Sequence, residues 1–145
     1  MDRRGLLFTM GAAAVSASAL SGIAQEMSHH NMAGMGGAKN QMLIDAASRC
    51  ASAAELCTSH CIEMIAAGDK TMIACAAGSR EVTVICSGLR SLAAQNSAHL
   101  ASYAKVAAAA CKSCEAECRK HAQHPVCKDC AEACAACAAE CTKIA

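Results

Sequence analysis

Residues 111–141 read CKSCEAECRKHAQHPVCKDCAEACAACAAEC, with cysteine at positions 111, 114, 118, 127, 130, 134, 137 and 141. Within each run the steps are three and four residues, the spacing of neighbours on one face of an α-helix. At 100° per residue, Cys127, Cys130, Cys134, Cys137 and Cys141 fall within an arc of about 80°. A stripe that ordinarily carries Leu and Ile carries sulfur here, so the fold and the chemistry of this chain are one question.

The same pattern extends outward from that stretch. Upstream, a helix is expected over residues 42–67, with Cys50, Cys57, Cys61 and Met64 on one face. Gly68 suits the left-handed position after it, and Asp69 suits capping the next helix, expected over residues 70–94. On that second helix Cys75 and Cys86 share a face with Val82 and Leu89, while Gly78 and Gly88 suit close helix approach. Gln95-Asn96-Ser97 reads as a turn. A third helix then runs to about His121, with Leu100, Ala104, Ala107, Cys111, Cys114 and Cys118 on one stripe. Pro125 opens the fourth. Four helices joined by short turns pack antiparallel, so the fold expected is an all-α, up-down four-helix bundle with a cysteine-lined core.

That topology predicts depth along the bundle axis. Counting from the turns at 67–70 and 122–125, taken as level, Cys61, Cys75, Cys118, Cys127 and Cys130 come nearest the turn end. Cys57, Cys114 and Cys134 lie deeper, Cys111 and Cys137 next, and Cys50, Cys86 and Cys141 deepest. Beyond them Leu43, Ile44, Leu92, Leu100, Tyr103 and Ile144 form an apolar plug. At the opposite end sit His60, Met64, Met72, His121 and His124, of which His60, Met64 and Met72 are the candidate metal ligands. Their ordinary alternative is a packed Met and a polar helix terminus.

Residues 1–24 read as a signal peptide, and Asp2-Arg3-Arg4-Gly5-Leu6-Leu7 resembles a twin-arginine export signal. Export by that route, into the periplasm or a related membrane lumen, carries a chain already folded. Residues 25–41 lack a helical period and read as a flexible tail containing Met27, His29, His30, Met32 and Met35, soft or borderline copper ligands. Residues 42–145 form the bundle, with no membrane span expected in the mature chain. From residue 25 onward Lys+Arg and Asp+Glu balance at eleven each, which offers no electrostatic case for nucleic acid.

The same 121 residues hold only fifteen Leu, Ile and Val, so cysteine must supply much of the interior. Cu(I) suits such a core: it is soft, and satisfied by two or three thiolates. Charge argues the same way, since one Cu(I) per thiolate leaves the core near neutral. Zinc prefers four thiolates in a tetrahedron, and an even ladder shows no four-ligand grouping. The ferredoxin cysteine run is absent, and the CxxC pairs Cys111/Cys114, Cys127/Cys130 and Cys134/Cys137 lack the βαβ setting of a thiol oxidoreductase. A disulfide-stapled exported bundle and a scavenger of Zn(II) or Cd(II) remain as alternatives. Thirteen is an odd number of cysteines, leaving a thiol over in a disulfide-paired monomer.

The leader, the four-helix pattern and the rhythm of CKSCEAEC and CKDCAEACAACAAEC resemble the bacterial copper storage proteins, in particular the exported type of methane-oxidising bacteria. The resemblance implies a homotetramer of four-helix bundles, non-enzymatic, storing many Cu(I) ions on Cys50, Cys57, Cys61, Cys75, Cys86, Cys111, Cys114, Cys118, Cys127, Cys130, Cys134, Cys137 and Cys141. It implies a mouth of His and Met ligands, matched here by His60, Met64 and Met72. The family's additional mouth Met has no match, because Ala66 and Ala67 occupy the end of the first helix, so the outermost site is expected to differ. The implied recipient is a copper enzyme, the membrane methane mono-oxygenase. Ile62, Ile65, Ile73 and Val84 are candidates for the oligomer face.

Overall fold

Helix α1 spans Gln41–Ala66, α2 Ile73–Ala94, α3 Leu100–Arg119 and α4 Pro125–Thr142 in a computed structural model that describes residues 39–145. The expected signal peptide and nearly all of the Met/His tail lie outside the described residues. Adjacent helices pack in the cyclic order α1–α2–α3–α4–α1, and there are no strands among the described residues. This is the up-down bundle that the sequence periods predict.

The helix ends follow from local chemistry. Gly68, with φ +103°, lets its own N–H reach Ile65 O and that of Asp69 reach Met64 O, closing α1 with paired backbone bonds. The end of α2 repeats the device with Asn96 at φ +49°, its N–H donating to Ala93 O and that of Ser97 to Leu92 O. Asn40 precedes α1 without capping it. Its Nδ2 instead donates to Ala93 O and Asn96 Oδ1, tying the start of α1 to the end of α2.

The second helix differs from expectation at its start. Asp69 Oδ1 accepts from both the backbone N and the hydroxyl of Thr71, winding Lys70–Met72 into a 3-10 turn, and α2 proper begins at Ile73. The third helix ends at Arg119, two residues before His121. Pro125 holds His124 in extended backbone, φ −92° and ψ 117°, and opens α4 as anticipated.

Helix α2 with its leading 3-10 turn, Lys70–Ala94, is long and apolar enough to cross a membrane by composition. Its inner face carries Cys75, Ser79, Val82, Cys86, Leu89 and Ala93, all buried in the bundle. Ser79 Oγ meets Thr58 Oγ1 at 2.8 Å, a polar link between α1 and α2.

The buried apolar residues among those described are thirteen Cys, ten Ala and five larger side chains, Leu43, Met72, Val82, Leu89 and Leu100. Leu43 and Leu100 are buried at the end opposite the turn at 67–70, and Ile44, Leu92, Tyr103 and Ile144 of the same end pack, partly buried, against the core. The two glycines of α2 serve differently. A Cβ at Gly88 would lie 2.6 Å from the Tyr103 hydroxyl, whereas one at Gly78 meets nothing closer than the Cys114 Cα at 3.7 Å. Gly78→Ala should therefore raise stability by about 1 kcal/mol through helix propensity. Gly88→Ala should show no such gain, because the Tyr103 ring must move; urea unfolding of the two variants measures the difference.

Candidate metal centre

All thirteen cysteines are buried and all are free thiols. Their sulfurs form a continuous chain down the bundle. Cys57 Sγ lies 3.9 Å from Cys61, 3.6 Å from Cys75, and 3.8 Å from both Cys118 and Cys127. Cys118 lies 3.4 Å from Cys75 and 3.8 Å from Cys114, and Cys114 clusters with Cys130 and Cys134. Further in, Cys50 lies 3.6 Å from Cys134 and 4.0 Å from Cys111, and Cys86 lies 3.7 Å from Cys111 and 3.8 Å from Cys137. Cys141 follows, one helical turn beyond Cys137.

Four groups of thiols each have their Sγ atoms within 4.8 Å of one another: Cys50/Cys86/Cys111/Cys137, Cys57/Cys61/Cys75/Cys127, Cys57/Cys118/Cys130 and Cys114/Cys130/Cys134. Two expectations are corrected here. The ladder does contain four-ligand groupings, two of them. The layers also differ from the count: Cys50, placed deepest, sits level with Cys111, Cys134 and Cys137. Cys50 meeting Cys134, and His60 meeting His124 of the α3–α4 turn, mean that the α1–α2 hairpin projects past that turn, so counting from level turns misplaces Cys50 and Cys57, while Cys61 does join Cys75 and Cys127 as counted.

That offset also builds the mouth. It brings His60, well inside the end of α1, against His124 in the α3–α4 turn, with ring centroids 4.8 Å apart and planes tilted by 53°. His60 Nε2 is buried without a hydrogen-bond partner, a lone acceptor or donor that a ligand would satisfy. Met72 is fully buried, Met64 is half-buried against the core, and His121 is only 9% exposed. His124 lay outside the candidate ligand set, and its pairing with His60 depends on a register that periodicity does not contain. Among the described residues the histidines join none of the four thiol groups.

The thiols divide electrostatically. Bonds from neighbouring S–H groups pull four of them down: Cys75 to about 2, mainly through Cys118, and Cys111 to about 5, mainly through Cys134. Cys130, through Cys114 first, and Cys137, through Cys111 first, are pulled down as well. Burial pushes Cys61 up to about 12 and raises Cys127. Cys50 and Cys86 are raised chiefly by Cys111, Cys57 by Cys118, and Cys118 by Cys114. Cys134 is raised by Cys111 and Cys141 by Cys137. For Cys114 the bond to Cys118 acts downward, yet Cys130 and Cys134 push the thiol up. Neighbouring S–H groups thus favour the thiolate at Cys75, Cys111, Cys130 and Cys137, of which Cys111 and Cys137 share a layer.

No Lys or Arg among the described residues is buried; the buried polar side chains are Asn40, Ser79 and His121. No buried Lys or Arg among the described residues can therefore neutralise a row of thiolates. A bundle with this interior is a metal-binding protein, with four groups of buried thiols that could hold the ions. Residues 37–145 match the family model described as copper storage protein, and the chain belongs to that family. Comparison with curated proteins finds no match.

Proposed function

We propose that this chain stores multiple Cu(I) ions, bound on the thirteen core thiolates and loaded through the His60/Met64/Met72 end. The observation that carries the reading is a file of buried sulfurs in contact, with no buried Lys or Arg among the described residues. A monovalent soft ion at one per thiolate neutralises such a file, and Cu(I) accepts the two- and three-sulfur sets that the layers offer. Storage needs no catalytic group, and we read the protein as non-enzymatic.

Titrating the reduced, mature chain with Cu(I) under inert gas against a competing chelator tests this. Uptake near one ion per cysteine, with free thiols falling in step, is the expected result. Tight uptake of no more than a few ions would overturn it.

His60, Met64 and Met72 act in this reading as transfer ligands between solvent and the first thiols. Replacing all three with Ala should slow copper uptake by about tenfold or more while leaving most capacity intact, the order of effect seen when groups that support a metal's ligands are removed. Stopped-flow loading and endpoint titration separate the two quantities; loss of most capacity would contradict the mouth assignment.

Export by the twin-arginine route, proposed from Arg3-Arg4 and the mild apolar stretch after them, fits a protein that acquires its fold before crossing the membrane. Delivery to a copper enzyme such as membrane methane mono-oxygenase is proposed from the resemblance to exported copper storage proteins. A homotetramer is proposed on the same ground. Ile62 and Val84 support it: both are more than half exposed, and both border a groove of about 370 Å³ on the outer α1–α2 face. Sedimentation of the wild type against Ile62→Glu/Val84→Glu tests that face, with the variant expected to dissociate.

A further inference from the structure

We infer that, beyond holding copper, the copper-free bundle binds a tetrahedral, thiophilic divalent cation such as Zn(II) at each of the two four-thiol layers, Cys50/Cys86/Cys111/Cys137 and Cys57/Cys61/Cys75/Cys127. Copper storage alone does not call for these sets, because Cu(I) is satisfied by two or three sulfurs. Zinc is not, and structural zinc takes four thiolates at about 2.3 Å, which places the sulfurs of the tetrahedron about 3.8 Å apart. The contacts in the deep layer are 4.0, 3.7 and 3.8 Å, for Cys50–Cys111, Cys86–Cys111 and Cys86–Cys137. In the outer layer they are 3.9, 3.6 and 3.8 Å, from Cys57 to Cys61, Cys75 and Cys127. Three of the six sulfur–sulfur edges in each layer thus match a tetrahedral thiolate site, and the others lie within 4.8 Å, so small side-chain rotations complete the set.

The deep layer takes one cysteine from each helix, so an ion there would tie all four together. Binding is a proton exchange without redox change: one Zn(II) and the four cysteine sulfurs become a tetrathiolate carrying two negative charges, and each proton still held by those sulfurs leaves for solvent. That remaining charge needs donors, and thiols outside the sets stand beside them. Cys134 Sγ is 3.6 Å from Cys50, and Cys118 Sγ is 3.4 Å from Cys75 and 3.8 Å from Cys57. Their S–H groups can turn toward the bound thiolates, as outer-shell donors do at metal–thiolate sites. Cu(I), the softer ion and able to neutralise each sulfur singly, would displace the zinc on loading.

The test uses the reduced, copper-free mature chain under inert gas. Zn(II) is added and counted by native mass spectrometry, and Co(II) is used as the optical probe of coordination. One Zn(II) per layer and the intense visible bands of tetrahedral cobalt thiolate are expected. Cys86 belongs only to the deep layer and Cys127 only to the outer one, so Cys86→Ala and Cys127→Ala should each keep the other site alone. Circular dichroism checks that both variants fold, with Cys86→Ser and Cys127→Ser as the smaller perturbation if either does not. A different ion count, octahedral cobalt, or loss of both sites in one folded variant would overturn the inference. A Cu(I) titration of the intact chain runs alongside; weak copper uptake there counts against storage, independently of the zinc result.

Discussion

Stripping copper from the loaded protein should lower its thermal midpoint by tens of degrees while leaving the helical fold intact at room temperature. The copper-free core has little to hold it: beyond cysteine and alanine, five larger apolar side chains are fully or nearly buried. Each ion bound only to the folded chain adds stability by mass action, about 4 kcal/mol when free copper stands at a thousand times its dissociation constant. For a domain of this size 1 kcal/mol moves the midpoint by roughly 4–8 °C, so a single well-held ion already shifts it by about 15–30 °C. Ions bridging sulfurs of different helices act as cross-links between α1, α2, α3 and α4. Differential scanning calorimetry of the copper-loaded and chelator-treated protein, both fully reduced, measures the effect. A difference of only a few degrees would mean that copper sits at the surface rather than in the core.

The second large effect is alkaline. Nine of the thirteen thiols are raised in the folded chain, Cys61 from 9.0 to about 12. A raised acid is neutral in the fold and ionises more readily once unfolded, so its contribution to stability is full below the unfolded value and is lost as pH rises through the folded one. For Cys61 that window runs from 9.0 to about 12. Cys75, Cys111, Cys130 and Cys137 act with the opposite sign, contributing stability above 9.0 that is lost on acidification, for Cys111 as pH falls toward about 5. Raised thiols outnumber lowered ones, and no Lys or Arg among the described residues is buried, so the copper-free bundle should lose its helicity between pH 9 and about 12. The copper-loaded protein should keep its helicity there, since its thiolates already carry their counter-ions. The two forms differ in whether copper occupies the thiols, so the difference between the two circular-dichroism titrations reports on them. Matching curves would contradict the charge argument.

The bundle was legible because its signals are local. Steps of three and four placed the thiols on inner faces, Gly68 and Pro125 marked helix ends, and the apolar plug of Leu43 and Leu100 followed from topology. Features that depend on register between helices were not legible. The 3-10 turn at Lys70–Met72 arises from Asp69 accepting two bonds from Thr71, a competition that helical periodicity does not represent. The projection of the α1–α2 hairpin decides which sulfurs share a layer, and with it the two four-thiol groups and the His60–His124 contact. Cys50 shows the distinction well: its inward orientation could be read from spacing, but its neighbours Cys111 and Cys134 could not.

Copper stored in the core must lie along the bundle axis. Diffraction data collected at the copper absorption edge from crystals of the fully loaded, anaerobically handled protein locate the ions directly. The expected map shows a file of anomalous peaks between α1, α2, α3 and α4, running from Cys61 to Cys141, each bonded to cysteine sulfur. Copper confined to surface histidines, or disulfide density in place of metal within the bundle, would contradict the account.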